Sequence, residues 1–287
     1  MTKRTELFAG QGDDAAFRAV RDHHGYADIK EECLRLWAMF EPCARPDFAE
    51  GFSWSFHSGF WEMWLGVRLL ERYPRTVATK KSAPDFLVHW NGREAFVEAT
   101  VAYRGQGRDQ VPDISKRIDD DDSVPFDECI LRITSAVRTK ATANKAREMT
   151  VTRSYVVAVN LPYPEAWVCS DPPLAIQACL GIGGLHLGLG DEKLPRTTAI
   201  PRRSIEKASG SSVTTECFRD PEYSHISAVV VASVNPFSSS YHDPDVEFLH
   251  NPLANHPLPL GWLKADRECW IVGQDLRIRR GANNNPS

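Results

Sequence analysis

Two carboxylates fall opposite each other on a predicted β-hairpin. The stretch from Ala83 to Val101 reads Ala-Pro-Asp-Phe-Leu-Val-His-Trp, then Asn-Gly, then Arg-Glu-Ala-Phe-Val-Glu-Ala-Thr-Val. Asn91-Gly92 between two runs of β-formers is a strong hairpin signal, because a type I′ turn needs positive φ at both central residues. A tight turn sets Trp90 against Arg93, and counting back sets Asp85 against Glu98. Directly opposed residues have Cβ atoms ~5 Å apart, and like charges there repel. Such a pair calls for a cation, and a hard divalent ion with oxygen ligands, Mg²⁺ for preference, meets that demand. The competing reading splays both acids into solvent. It must then explain why no Lys or Arg stands across the pair, since Arg93 falls on the other face.

The elements around the hairpin must position this chemistry. Phe86, Val88, Trp90, Ala95, Val97 and Ala99 give it one apolar face, which is the buried one; Asp85, Leu87, His89, Glu94, Phe96, Glu98 and Thr100 share the other. Before it, Ser58 to Tyr73 reads as a mostly buried helix with Ser58 as N-cap. Glu62 lies on its apolar side, among Leu65, Gly66 and Leu69. It is either an acid favoured by the helix dipole or a third member of the cluster. After the hairpin, Asp127 to Met149 reads as one long helix with an inward stripe of Ile130, Ile133, Ala136 and Val137. Lys140 falls on that stripe, where a lysine either snorkels or meets an anion. Arg132, Arg138, Lys145 and Arg147 make the rest of this helix basic, a solvated face or a set of phosphate contacts. Ser154 to Asn160 reads as a buried central strand.

Elsewhere the signals are structural. Asp13 to Arg21 and Ala27 to Phe40 read as amphipathic helices, the second followed by Glu41-Pro42 and by an aromatic connector from Pro46 to Ser55. The run Asp119 to Asp122 has no EF-hand spacing and reads as a solvated turn. Gly181 to Gly190 matches no phosphate-binding fingerprint and reads as a flexible turn, a candidate substrate-side flap. Ile226 to Val234 reads as a second buried strand, His250 to Pro259 as a packed loop, and Trp270 to Ile278 as an edge strand. Residues 281–287 read as a disordered tail.

Composition narrows the class. With 25% charged and 42% apolar residues the chain is an ordinary globular sequence. A net charge of −4 argues against a wholly basic nucleic-acid coat but not against a local basic cleft. Seven scattered cysteines without a Cys-x-x-Cys pair support neither a zinc ribbon nor a disulfide framework. Free thiols, no visible signal peptide and no long apolar run lead to the expectation of a cytoplasmic protein without a membrane span. No Gly-x-Ser-x-Gly elbow points to a serine hydrolase.

The order is helix with Glu62, strand with Asp85, strand with Glu98, basic helix with Lys140, buried strand. Together with Pro84-Asp85 and Glu98-Ala99-Thr100, this resembles the core of the PD-(D/E)xK nuclease superfamily, the restriction-endonuclease-like fold, over about Ser58 to Asn160. The resemblance implies an α/β fold, with a mixed β-sheet flanked by helices. Residues 1–55 would be an N-terminal helical appendage, 56–162 the nuclease-like core, and 163–280 a C-terminal elaboration packed on that core. It also implies Mg²⁺, with Mn²⁺ as a substitute, held by Asp85 and Glu98 with Glu62 as a further ligand. The activity implied is phosphodiester hydrolysis of nucleic acid, DNA in the first place, by an endonuclease of restriction or defence type that can act as a homodimer. The family's lysine position, two residues after Glu98, is Thr100 here; Lys140 is the candidate substitute. Without a lysine at the acids, the alternative is a catalytically inactive module on the same fold that binds nucleic acid or a protein.

Overall fold

The computed structural model describes residues 6–79, 83–113, 125–143, 148–163, 170–188, 196–238 and 244–281. A two-residue strand, β1 (Val77–Ala78), leads into β2 (Phe86–Trp90) and β3 (Arg93–Val101). The hairpin between β2 and β3 has the expected register, Trp90 opposite Arg93 and Phe86 opposite Val97. Its turn has φ of 46° at Asn91 and 75° at Gly92, the double left-handed geometry that Asn-Gly is suited to. The next strands are β4 (Ser154–Asn160), β5 (Ile182–Gly188), β6 (Arg196–Pro201), β7 (Ser204–Glu206) and β8 (Ser212–Thr214). The last are β9 (Ala228–Ala232), β10 (Val246–His250), β11 (Arg267–Val272) and β12 (Asp275–Arg280).

Among the described residues, eight strands form one mixed sheet in the order β1-β2-β3-β4-β9-β10-β11-β12. The pairs β3/β4, β4/β9 and β10/β11 are parallel; the others are antiparallel. The segment expected to be an elaboration packed on the core thus supplies half of the central sheet.

Side chains alternate between two cores, as the period of two along a strand requires. One core joins Phe86, Val88, Ala95, Val97, Val156 and Val230 to the N-terminal helices. Those helices are α1 (Ala15–Asp22), α2 (Ala27–Phe40), α3 (Phe48–Trp54) and α4 (Phe56–Arg72). The other joins Phe96, Tyr155, Val157, Val159 and Val231 to α5 (Phe126–Thr142) and α6 (Leu174–Leu180). β4 and β9 are buried on both faces, which is why they read as continuous runs of Val and Ala. On the hairpin, Phe86, Val88, Ala95 and Val97 are buried on the apolar face, while on the face that carries the acids Phe96 is buried and Leu87, His89, Glu94 and Glu98 are half-buried.

Several expectations are corrected. The connector 46–55 contains α3, because Phe48, Ala49, Phe52 and Ser53 recur at helical spacing and are buried. Helix α4 starts at Phe56, before Ser58. Its Phe56 N–H is met by Asp14 Oδ2 at 3.3 Å, while the Ser58 hydroxyl lies 3.0 Å from Tyr103 Oη. Helix α5 stops at Thr142, where Ala143 turns extended. Thr139 and Thr142 donate their hydroxyls to the carbonyls of Ser135 and Arg138, one turn back. Gly181 to Gly190 is not a flexible turn throughout: residues 182–188 are strand β5, paired with β6. Gly181, at φ 65°, closes α6 in the left-handed conformation that glycine favours. The expected single edge strand at 270–278 is the hairpin β11–β12, turning at Gly273 with φ 63°. The Asp119–Asp122 run, Lys145, Arg147 and the 282–287 tail lie outside the described residues. No described helix is long and apolar enough to cross a membrane.

Candidate active site

Four elements converge at the end of the hairpin away from its turn. Helix α4 contributes Glu62, β3 contributes Glu98, α5 contributes Lys140, and Asp85 stands one residue before β2. The backbone of Asp85 is fixed by the β1 edge, where Thr79 N–H donates to its carbonyl at 2.9 Å. Its carboxylate turns across the ladder, and Oδ2 accepts the Ala99 N–H at 2.8 Å. Lys140 reaches inward from α5 and donates to Glu98 Oε1, so the lysine on the apolar stripe meets an anion.

The residue that sequence reasoning missed is Arg45. It lies between α2 and α3, outside any periodic pattern. Its Nη1 is 3.2 Å from Asp85 Oδ1, and its Nη2 donates to Glu62 Oε2 at 3.2 Å. One guanidinium therefore ties the helical segment to the strand acid. Only the local charge balance hinted at it: paired acids demanded a cation, and nothing in the sequence said which.

Compensation is incomplete. Among the described residues three carboxylates meet two cations, and Glu62, only 8% exposed, has one oxygen without a hydrogen bond. That oxygen, Oε1, is 3.2 Å from Arg45 Nη2 but off its N–H direction. Burial pushes the Glu62 carboxyl up to about 8, and the Asp85 charge adds to this against the pull of Arg45. Burial also raises Asp85, opposed by the Ala99 N–H, Arg45 and Lys140. Glu98 is raised by burial and then by Asp85, with Lys140 pulling the other way. The fold thus holds the acids closer than their charges favour.

The basic residues of α5 have specific neighbours. Arg138 donates to Thr214 O at 3.1 Å, and both it and Arg132 are half-buried. The Arg132 guanidinium lies against Gly105, whose φ of 84° is the left-handed conformation that favours glycine. A cleft of about 720 Å³ opens beside Arg45, walled by Leu87, Phe96 and Met149 on the face that carries Asp85 and Glu98.

Comparison with known proteins assigns nothing further. No family model matches the chain, and neither a curated protein nor a solved structure matches it.

Whether these residues suit a metal follows from their chemistry. Among the described residues, no three His, Cys, Asp or Glu groups stand close enough to enclose an ion as placed. Yet the donors are hard carboxylate oxygens, and among the described residues one buried oxygen lacks a donor. These features fit a divalent ion in chemical type. The guanidinium of Arg45 is what such an ion would have to displace.

Proposed function

We propose that Glu62, Asp85, Glu98 and Lys140 form the active centre of a metal-dependent nuclease. The reaction is hydrolysis of phosphodiester bonds in nucleic acid, with DNA as the first substrate to test. The supporting observation is the cluster of three buried or half-buried carboxylates from separate elements, one with an oxygen that has no hydrogen-bond donor and one carrying an ammonium group. In this reading residues 56–162 form a restriction-endonuclease-like core, since its elements run helix, strands, helix, strand in that order.

Asp85 and Glu98 would hold Mg²⁺ or Mn²⁺, with Glu62 as the further ligand. The ion would supply a Lewis acid that activates water and offsets charge on the phosphate. The chain's own groups do the rest. Lys140 stands in for the cation that Thr100 cannot be, and it is placed to steer a water or neutralise an oxyanion beside Glu98. The Ala99 N–H fixes the rotation of the Asp85 carboxylate. Arg45 borders the cleft, with both Nη groups turned to Asp85 and Glu62.

A second reading has its own observation. Arg45 already spans Asp85 and Glu62, as the counter-ion of an inactive binding module would. Incubating plasmid DNA and RNA with Mg²⁺ or Mn²⁺ separates the two. Cleavage by the wild type, lost in Asp85→Ala and Glu98→Ala, is expected. Intact substrates across metals would leave the binding module.

A further inference from the structure

A concavity lies at the opposite end of the hairpin from the Glu62, Asp85 and Glu98 cluster. It is an open groove of about 1110 Å³, bounded by the end of α4, the Asn91-Gly92 turn, the segment entering β4 and the turn at 255–257. Its lining includes Arg72, Arg75, Arg93 and Arg153 against one carboxylate, Glu94. That is an excess of three positive charges in a chain whose net charge is −4.

Two of these arginines are committed. Arg72 donates to Trp262 O at 2.9 Å, and Arg153 pairs with Glu94. The other two are exposed and unclaimed. Among the described residues Arg75 makes no ion pair or hydrogen bond, and Arg93 only lies over the Trp90 ring, 5.5 Å from its centroid. Guanidinium donors without a partner among the described residues suit the phosphates of a polyanion.

We infer that this groove binds the sugar-phosphate backbone of a nucleic-acid strand. The groove is open, and its arginines come from the end of α4, β3 and the segment entering β4, a spread that suits a polymer more than a single nucleotide. The choice of nucleic acid over another polyanion rests on the nuclease reading above. Along β3 the groove and the carboxylate cluster are about four residues or ~13 Å apart, a distance that about four base steps of a duplex cover, with Arg93 on the opposite face of the strand from Glu98.

The test is fluorescence anisotropy with labelled 20-nucleotide DNA and RNA, single-stranded and duplex, on the full chain in EDTA. Arg75→Glu/Arg93→Glu should weaken binding tenfold or more. Its logarithmic salt slope should fall by roughly 1.4 for a single strand, about 0.7 for each lost phosphate contact. Arg75→Gln/Arg93→Gln should show a smaller loss with an unchanged circular dichroism spectrum, which guards against misfolding. Arg277→Glu/Arg280→Glu, on the basic β12 edge, is the control for net charge and should bind nearly as wild type. The groove is ruled out if the wild type binds none of the probes. It is also ruled out if the β12 pair loses as much, or if AMP or inorganic phosphate competes as tightly per molecule as the oligonucleotide. Groove binding without cleavage in any metal would remove the nuclease reading and leave the groove. Cleavage with binding unaffected in the Arg75/Arg93 variants would do the reverse.

Discussion

Two groups of buried acids in this molecule are built on opposite principles. On β10 and β11, every acid is provided for. Glu268 lies 2.9 Å from His250 Nε2, accepts the Gly261 N–H at 2.6 Å and pairs with Arg279. Burial works against its charge, but these contacts outweigh it and hold Glu268 below the usual carboxylate range. Glu247 accepts the N–H groups of Leu174 and Ala175 at the start of α6, at 3.2 and 2.7 Å, and lies 2.8 Å from Arg267. Burial still lifts it to about 7, yet both its oxygens are satisfied. At Glu62, Asp85 and Glu98 the acids repel one another, and an oxygen of Glu62 is left without a donor. Saturated acids join elements together. Under-compensated ones hold a deficit that an incoming cation would fill.

Substitutions should split the two groups cleanly. The largest effect expected is on cleavage: Asp85→Asn or Glu98→Gln should cut the rate about 10³-fold, the equivalent of about 4 kcal/mol of transition-state charge stabilisation. Their melting temperatures should hold or rise, since each removes a repelled charge. Glu268→Ala should do the reverse. Removing one partner of a buried network costs about 3–5 kcal/mol, or roughly 10 °C in Tm by calorimetry. If the two kinds of variant lose stability alike, the contrast between the sites is wrong.

A smaller effect sharpens the role of Arg45. Arg45→Gln should tighten Mn²⁺ binding about tenfold, ~1.4 kcal/mol, because the ion no longer competes with a guanidinium. Calorimetric titration reads this without any turnover, and unchanged or weaker affinity would show that Arg45 does not compete for the site.

The smallest effect is in the pH dependence of stability. Unfolded, Glu62 gives up its proton near 4.5; folded, it keeps it to about 8. Its contribution is full below the lower value and drains away as pH rises through the upper one. Glu268 has the opposite sign: its contribution is present above its ordinary value and is lost as pH falls through its depressed one. Glu62→Gln should therefore raise Tm by roughly 2–4 °C at pH 8, about 1 kcal/mol, and change it little at pH 5. A larger gain at pH 5 would contradict the raised carboxyl.

The parts of this site legible in the sequence are those set by local chemistry. Asn91-Gly92 fixes the turn, and the turn fixes the register that brings Asp85 to Glu98. Helical spacing alone put Lys140 on the inward stripe of α5. Arg45 was not legible, because its partners lie 17 and 40 residues away and Ala44 and Pro46 give it no period to belong to. The same limit hid half of the sheet. β9 and β4 pair across some 70 residues, and no local signal says that a buried strand continues one sheet or starts another. The glycines of β5 resembled a turn because strand pairing with β6, not propensity, makes them extended.

Electron paramagnetic resonance of Mn²⁺ titrated into the full chain at pH 8 addresses the cluster most directly. One ion bound per chain is expected, lost in Asp85→Asn and Glu98→Gln and retained in Glu268→Gln. Free Mn²⁺ signal throughout, or binding that survives in both hairpin variants, would mean that these carboxylates are a structural ion-pair network and not a metal centre.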